Sequence, residues 1–526
     1  MHTIKSMAFA PRSQDLMDAL ATRVVIADGA MGTELQERKP TLEDFQNLEG
    51  CNEILNVTRP DIVRSVHDAY FETGIDCIES NTFGANWSNL SDYGIEDRIE
   101  ELAEVGARIA RQSADGFTEK DSRQRWVLGS MGPGTKLPSL GHVEYAFLRD
   151  TFKEQAIGLI KGGSDAFLVE TSQDLLQTKA AINGCRMAVL ETGIRLPIFV
   201  EVTVETTGTM LMGSEIGAAL TALEPLGVDM IGLNCATGPT EMSEHLRQLS
   251  KHSRVPVMVM PNAGLPVLTA NGASYPLGPE ELATAHEQFV KEFGLAMVGG
   301  CCGTTPAHLK AVVDRLGQKT THTRTIELEP GVASLYQHVP LTQDNTYLAI
   351  GERTNANGSK AFKEAMLDER WDDCIDIARK QVRDGAHLLD VSVDYVGRDG
   401  VADMKTLVSK LASASTLPLV IDSTEPAVIK AGLELIGGRP VVNSVNFEDG
   451  DGPTSRFAKI MPIVKEHGAA VIALTIDEQG QARNQADKVR IASRLIDDLV
   501  SKWDMRVEDI IVDALTFPIA TGQEET

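Results

Sequence analysis

The chain alternates short apolar runs with amphipathic stretches of helical period. Eight such runs occupy the first part: 24–28, 76–80, 126–130, 166–170, 198–204, 230–234, 257–261 and 296–300. They are β-branched or continuously apolar, as strands buried on both faces of a parallel sheet should be. Between them lie segments such as DIVRSVHDAYFETG and ATAHEQFVKEFG, whose apolar positions recur with helical spacing. Eight strand–helix repeats over about 280 residues are the size of one (β/α)8 TIM barrel. Nearly every run is followed by a polar or glycine-rich stretch: DGAMGTE, ESNTFGAN, GSMGPGTK, ETSQD, NCATGP, PNAG, GGCCGTT. At the C-terminal ends of barrel strands these would line the active face.

The rhythm breaks over 317–345, which is rich in Thr, Pro and Gly, and restarts with runs at 346–351, 387–393, 417–422, 440–445, 469–476 and 509–513. The predicted organisation is a barrel over 15–320, a linker over 321–345, and a second (β/α) barrel over 346–526. Six strands leave that second barrel short of its last two units. The sequence therefore reads as the front part of a longer protein, ending in the loop-like FPIATGQEET.

Composition narrows the class. The net charge of −26 disfavours binding to a nucleic-acid backbone. No apolar run reaches the roughly 18 residues of a membrane span. The start, MHTIKSMAFAPRSQ, lacks the apolar core of a signal peptide, so a cytoplasmic location is expected.

Seven cysteines, an odd number in a large chain, argue against a disulfide scaffold. Three stand at predicted strand ends: Cys235 after the sixth run, and Cys301 and Cys302 after the eighth. By itself the Cys-Cys pair fits a vicinal disulfide or a pair of core thiols as well as metal ligands. Placement of all three around one bowl favours the metal. Three thiolates suit Zn²⁺ and leave a fourth tetrahedral position open. An electron-rich zinc of this kind is suited to binding another thiol and keeping it nucleophilic near neutral pH, which points to alkyl transfer onto sulfur. Cys51, Cys77, Cys185 and Cys374 have no such company and read as structural. Near the thiols, the DGAMGT turn offers backbone N–H groups for a carboxylate. Asp28 or Glu170 could hold an ammonium, although each alone also fits a loop cap.

IADGAMGTELQ, IESNTFGAN, GSMGPG, GLNCATGP and GGCCGTTPAHL together resemble the homocysteine S-methyltransferase family over about residues 15–320. The resemblance implies zinc on Cys235, Cys301 and Cys302, with the homocysteine thiolate bound to the metal. It implies homocysteine contacts at Asp28, Ala30, Met31, Thr82 and Glu170, and Asn234 next to the metal, in its open position when substrate is absent. AIGERTNANGS, LLDVSVDYVGRDG, LVIDSTEP, VVNSVNFEDG and TIDEQGQA resemble the pterin-binding domain of cobalamin-dependent methionine synthases. This implies 5-methyltetrahydrofolate held by Glu352, Asp390, Asp422, Asn443 and Asp513. It also implies methylcobalamin as methyl carrier, bound by a cobalamin-binding module outside this chain. The D-x-H-x-x-G stretch that ligates cobalt in that family does not occur here. Two other readings stay open: a cobalamin-independent methyltransferase using betaine or S-methylmethionine, and a non-enzymatic thiol or redox scaffold.

Overall fold

A computed structural model describes residues 4–516 apart from 270, 271 and 318. The final stretch, 517–526, with the expected loop-like ending, lies outside the described residues. The chain divides into two compact units, one comprising residues 2–220 and 227–328, the other residue 329 onward with 1 and 221–226. No described helix is long and apolar enough to cross a membrane.

The first unit is built on eight parallel strands: Val25–Ile26, Cys77–Glu79, Trp126–Met131, Ala166–Ser172, Ile198–Val202, Met230–Asn234, Val257–Met260 and Met297–Val298. Each matches one of the eight apolar runs. The sheet runs second, third, fourth, fifth, sixth, seventh, eighth, first, so neighbours in sequence are neighbours in space. The first and second strands meet at a seam. Asp76 N–H donates to the Ile26 carbonyl at 2.8 Å there. Two carboxylates complete the seam: Asp76 accepts from Ile26 N–H at 2.9 Å, and Asp28 accepts from Glu79 N–H at 3.1 Å.

One local device recurs at the N-terminal ends of alternate strands. The sequences Gly74-Ile-Asp76, Gly163-Ser-Asp165 and Gly227-Val-Asp229 each precede a strand. The glycines have φ of 93°, 92° and 82°, the left-handed region in which glycine turns the chain at no steric cost. Each following aspartate accepts the backbone N–H of the preceding strand at 2.9 Å: Ile26, Val127 and Ile198. Arginines close the carboxylates from the other side. Arg23 and Arg123 bind Asp76, and Arg12 and Arg111 bind Asp165. Asp76 and Asp165 are buried, so these are paired internal charges.

Below the active end the barrel is filled by Val25, Cys77, Leu128, Leu168, Phe199, Met230, Met258 and Met297, and the helix Pro11–Thr22 packs Leu16 and Leu20 against them. Two further short strands, Val267–Thr269 and Gly272–Ser274, form an antiparallel ribbon after the seventh strand that the hydropathy pattern did not announce.

The second unit carries six parallel strands in chain order: Ile350–Gly351, Leu388–Val391, Leu419–Asp422, Val441–Val445, Ala470–Leu474 and Ile510–Asp513. They form a curled half-barrel whose outer face packs against helices such as Trp371–Arg383 and Gly400–Ala414. The segment expected as a plain linker over 321–345 differs in part. Gly331–Ala333 and His338–Pro340 pair as an antiparallel ribbon. Val332 and Val339 from that ribbon pack on Leu388, Val420, Val441 and Ala470 at the starts of the strands. Three-residue strands around a Ser334-anchored turn are too short for periodicity to reveal. Arg439 ties ribbon and sheet, donating to the Gly331 carbonyl at 3.0 Å and pairing with buried Asp509 at 2.6 Å. The Gly-x-Asp device has a counterpart here: Gly385, φ 91°, precedes His387, whose Nδ1 accepts Ala349 N–H at 3.0 Å.

Substituting Asp165→Ala leaves the buried Val127 N–H without its acceptor and takes the buried carboxylate from Arg111, which keeps only Asp115 and the Arg125 carbonyl. The expected loss is about 3 kcal/mol or more, read as a lower denaturant midpoint for the first unit. A change under about 0.5 kcal/mol would place the clamp among ordinary surface pairs.

Candidate metal centre and the second-barrel acid cluster

The three cysteines predicted as ligands come together in space. Their sulfurs all lie within 4.8 Å of one another, and among the described residues no other His, Cys, Asp or Glu group converges in this way. Cys235 and Cys302 are 3.8 Å apart, sulfur to sulfur. A tetrahedral zinc with Zn–S near 2.3 Å has S···S edges of about 3.8 Å, so the spacing fits that ion. All three are free thiols.

The backbone explains how they meet. Cys235 leaves the sixth strand with φ 59°, followed by Ala236 at 55°. Two successive non-glycine residues in the left-handed region are costly and mark an imposed turn. Cys235 N–H still donates to the Met260 carbonyl at 3.2 Å, so the turn starts from an intact ladder. The Cys301-Cys302 turn is stitched to the end of the seventh strand. Cys301 N–H donates to the Pro261 carbonyl at 2.9 Å, and the Cys302 carbonyl accepts from Ala263 N–H at 3.0 Å. The following glycine is required by packing. Gly303 has φ 78°, and a Cβ there would lie 2.2 Å from the Tyr275 ring. The Tyr275 hydroxyl in turn hydrogen-bonds Cys302, and burial pushes its own pKa up to about 12. Hydrogen bonds from Cys235 and Cys301 pull the Cys302 thiol down to about 3, while Cys301 is pushed up by its bonds to Cys235 and Cys302. Cys235 is likewise pushed up to about 12, so the three thiols together favour a single thiolate, on Cys302. The remaining four cysteines, Cys51, Cys77, Cys185 and Cys374, are buried singly.

The residues expected around homocysteine are placed as follows. Asp28 is fully buried, and both its oxygens face Glu79 N–H, which commits it to the barrel seam. Ala30 precedes the helix Met31–Glu37, its N–H bonded to Thr304 Oγ1 at 3.2 Å. Thr82 is buried and donates its hydroxyl to the Ser130 carbonyl at 2.7 Å, so that group is internal. Glu170 accepts from Ser130 Oγ and from Asn234 Nδ2, and burial raises its pKa to about 7. Asn234, expected beside the metal, is bonded to Thr171 and Glu170. Its Oδ1 accepts Thr171 N–H at 2.8 Å, and its Nδ2 donates to Thr171 Oγ1 at 2.9 Å. Thr171 sits at φ 54° beside an irregularity in the fourth strand, and the Asn234 amide supplies the partners this bend leaves free.

Three residues escaped the sequence reading. Tyr275 lies outside every quoted motif. Glu79 was hidden in IESNTFGAN, and Glu201 in IFVEVTV, where a charge inside an otherwise apolar run was the available signal.

In the second unit, Asp390 and Asp422 are brought together by a residue not singled out beforehand. Asn355 Nδ2 donates to Asp390 at 2.7 Å and to Asp422 at 3.0 Å. Burial, helped by the charge of exposed Glu352, raises Asp390 to about 7 and Asp422 to about 6. Asn443 and Asp422 line a small cavity together with Ser423, Asn446 and Arg456. Asp513 stands apart. It is exposed on the last strand, and its carboxylate accepts Leu515 N–H at 2.7 Å.

The sequence profile of the homocysteine S-methyltransferase family matches residues 25–316, and that of pterin-binding enzymes matches 351–526. The chain belongs to the homocysteine S-methyltransferase family and carries a pterin-binding domain after the methyltransferase barrel. It is 63% identical over 512 residues to the methionine synthase of Mycobacterium tuberculosis, and 61% identical over 517 residues to that of Mycobacterium leprae. Each alignment covers 97% of this chain and 43% of the relative, so the chain spans less than half the length of the curated relatives it matches. Among solved structures, the metallated form of a homocysteine methyltransferase from Escherichia coli aligns with 58% of this chain and 99% of its own, at 21% identity and a TM-score of 0.48.

The raised Asp390 has a consequence for stability. A carboxyl whose folded pKa lies above its unfolded value binds protons more tightly when folded. Stability is then lost as pH rises from about 4 to about 7. Asp390→Asn should remove this penalty. The variant should melt with wild type near pH 4.5 and above it at pH 7.5, by more than about 1 kcal/mol. A constant offset across that range would contradict the buried-carboxylate account.

Proposed function

We propose that the chain performs the homocysteine and folate steps of methionine synthesis. Cys235, Cys301 and Cys302 would hold Zn²⁺. 5-Methyltetrahydrofolate is the upstream methyl donor, and methylcobalamin, on a separate cobalamin-binding module, is the carrier. The observation that carries this reading is the convergence of the three sulfurs at tetrahedral spacing in one barrel, followed in the same chain by a pterin-binding domain. The kinship with longer methionine synthases supports it.

Zinc, when bound, supplies a Lewis acid that lowers the pKa of a thiol in its fourth position. The chain's own part is to present three sulfurs on rigid turns and leave one side of the set for a substrate thiol. The Ala30 N–H is taken by Thr304, and the Met31 N–H at the start of the following helix would be offered to the substrate carboxylate. In the second unit, Glu352, Asp390, Asp422, Asn443 and Asp513 are the groups assigned to the donors and acceptors of the pterin ring. Asn355 holds two of these carboxylates in one orientation. A planar heterocycle rewards such fixed, paired acceptors. A cytoplasmic location fits the expected thiol chemistry.

The test is donor choice. Zinc-loaded protein is incubated with homocysteine and, separately, free methylcobalamin, betaine or S-methylmethionine, and methionine is measured. Methylcobalamin should support turnover, and the other two should not. Faster methionine formation from betaine or S-methylmethionine would overturn the reading in favour of a cobalamin-independent methyltransferase.

A further inference from the structure

The thiol cluster is contacted from outside by the ring of Tyr275. After the seventh strand the chain turns at Gly264, φ 86°, runs through the ribbon Val267–Thr269 and Gly272–Ser274, and returns on Tyr275. Both ends of this excursion are pinned beside the cysteine turn. Ala263 N–H donates to the Cys302 carbonyl at 3.0 Å, and Leu277 N–H donates to the Ala263 carbonyl at 3.0 Å. The Leu277 carbonyl lies 2.9 Å from Nε2 of His308, which also closes the capping box of the helix Pro306–Leu316. The half-buried Tyr275 is thereby laid against Gly303, where any side chain would collide with its ring.

The hydroxyl of this ring reaches the Cys302 sulfur, and all three sulfurs act on it electrostatically. Packing alone does not call for that oxygen, since phenylalanine would fill the same space on Gly303. The turn does not need it either, because its backbone is stitched to Pro261 and Ala263. The bonds among Cys235, Cys301 and Cys302 are of another kind. They use thiol protons, which leave when the sulfurs become metal ligands. The hydrogen bond from Tyr275 comes from outside the set, and a thiolate that gives one electron pair to a metal keeps others to accept it. Donors placed in this way orient metal ligands and tune the metal.

We propose that Tyr275 is a positioning residue of the metal centre: its hydroxyl donates to Cys302 Sγ, fixes the direction of that sulfur and draws charge from it, so that a metal held by the three sulfurs binds a substrate thiolate more tightly in its fourth position. The inference rests on the reading of the cysteine cluster as a metal site.

Cobalt(II) in place of zinc tests it, because the sulfur-to-cobalt charge-transfer absorption reports how firmly the sulfurs hold their electrons. Loss of a hydrogen bond raises the donor level of a sulfur. Y275F keeps the ring and loses one oxygen, so at equal cobalt content it should absorb at longer wavelength than wild type. Its Kd for homocysteine, followed through the same band, should rise about tenfold, with the melting temperature unchanged. Y275L, which also loses the ring, should displace the band in the same direction, and it decides the matter if Y275F does not fold. A Y275F spectrum that superimposes on wild type, a Kd within about twofold of wild type, or a folded Y275F that takes up no cobalt would overturn the proposal. Absence of the charge-transfer band in wild type would instead overturn the metal-site reading on which it rests.

Discussion

Closure of the first sheet is the constraint on which the candidate site depends. Eight parallel strands bring their C-terminal ends to one face only if the first strand meets the second. That seam is made largely by carboxylates standing in for ladder partners: Asp76 on the Ile26 N–H and Asp28 on the Glu79 N–H. With the seam shut, strands distant in sequence share a rim. Cys235 and Cys302, 67 residues apart, then stand 3.8 Å from each other. The acids serve two ends of one barrel. At the N-terminal end they fix register and are neutralised by arginine. Nearer the C-terminal end the buried Glu201 carboxylate is left without such a partner.

This division follows from how charge is tolerated inside a protein. Asp76 and Asp165 each have two guanidinium partners and a backbone N–H, so their burial is compensated. Glu201 has neither, and Asp390 and Asp422 share a single asparagine. Uncompensated acids are retained where a ligand can complete them, and perturbed groups cluster at functional sites for that reason. The left-handed backbone at Thr171, Cys235 and Ala236 belongs to the same pattern, since strain collects where geometry is imposed.

Much of this was legible in the sequence. All eight strands of the first barrel and all six of the second unit coincide with apolar runs, because strands buried on both faces leave continuous hydrophobic stretches. The three cysteines were legible because strand-end position in a barrel predicts a shared bowl. What escaped depends on pairing across distance. The seam role of Asp28 requires knowing which N–H lies opposite. The commitment of Asn234 to Thr171 follows from a local bend in a neighbouring strand. The ribbon at Gly331–Pro340 is too short to leave a period. Asn355 sat inside a quoted motif, yet only its position between two aspartates distinguishes it from an ordinary loop residue.

The central claim is that Cys235, Cys301 and Cys302 bind one zinc and leave it open to a substrate thiol. X-ray absorption at the zinc edge, on protein loaded with one equivalent of the metal, tests this most directly. The account predicts three sulfur ligands at about 2.3 Å and one lighter ligand, changing to four sulfurs when homocysteine is added. Fewer than three sulfurs in the loaded protein, or a first shell that homocysteine leaves unchanged, would contradict it.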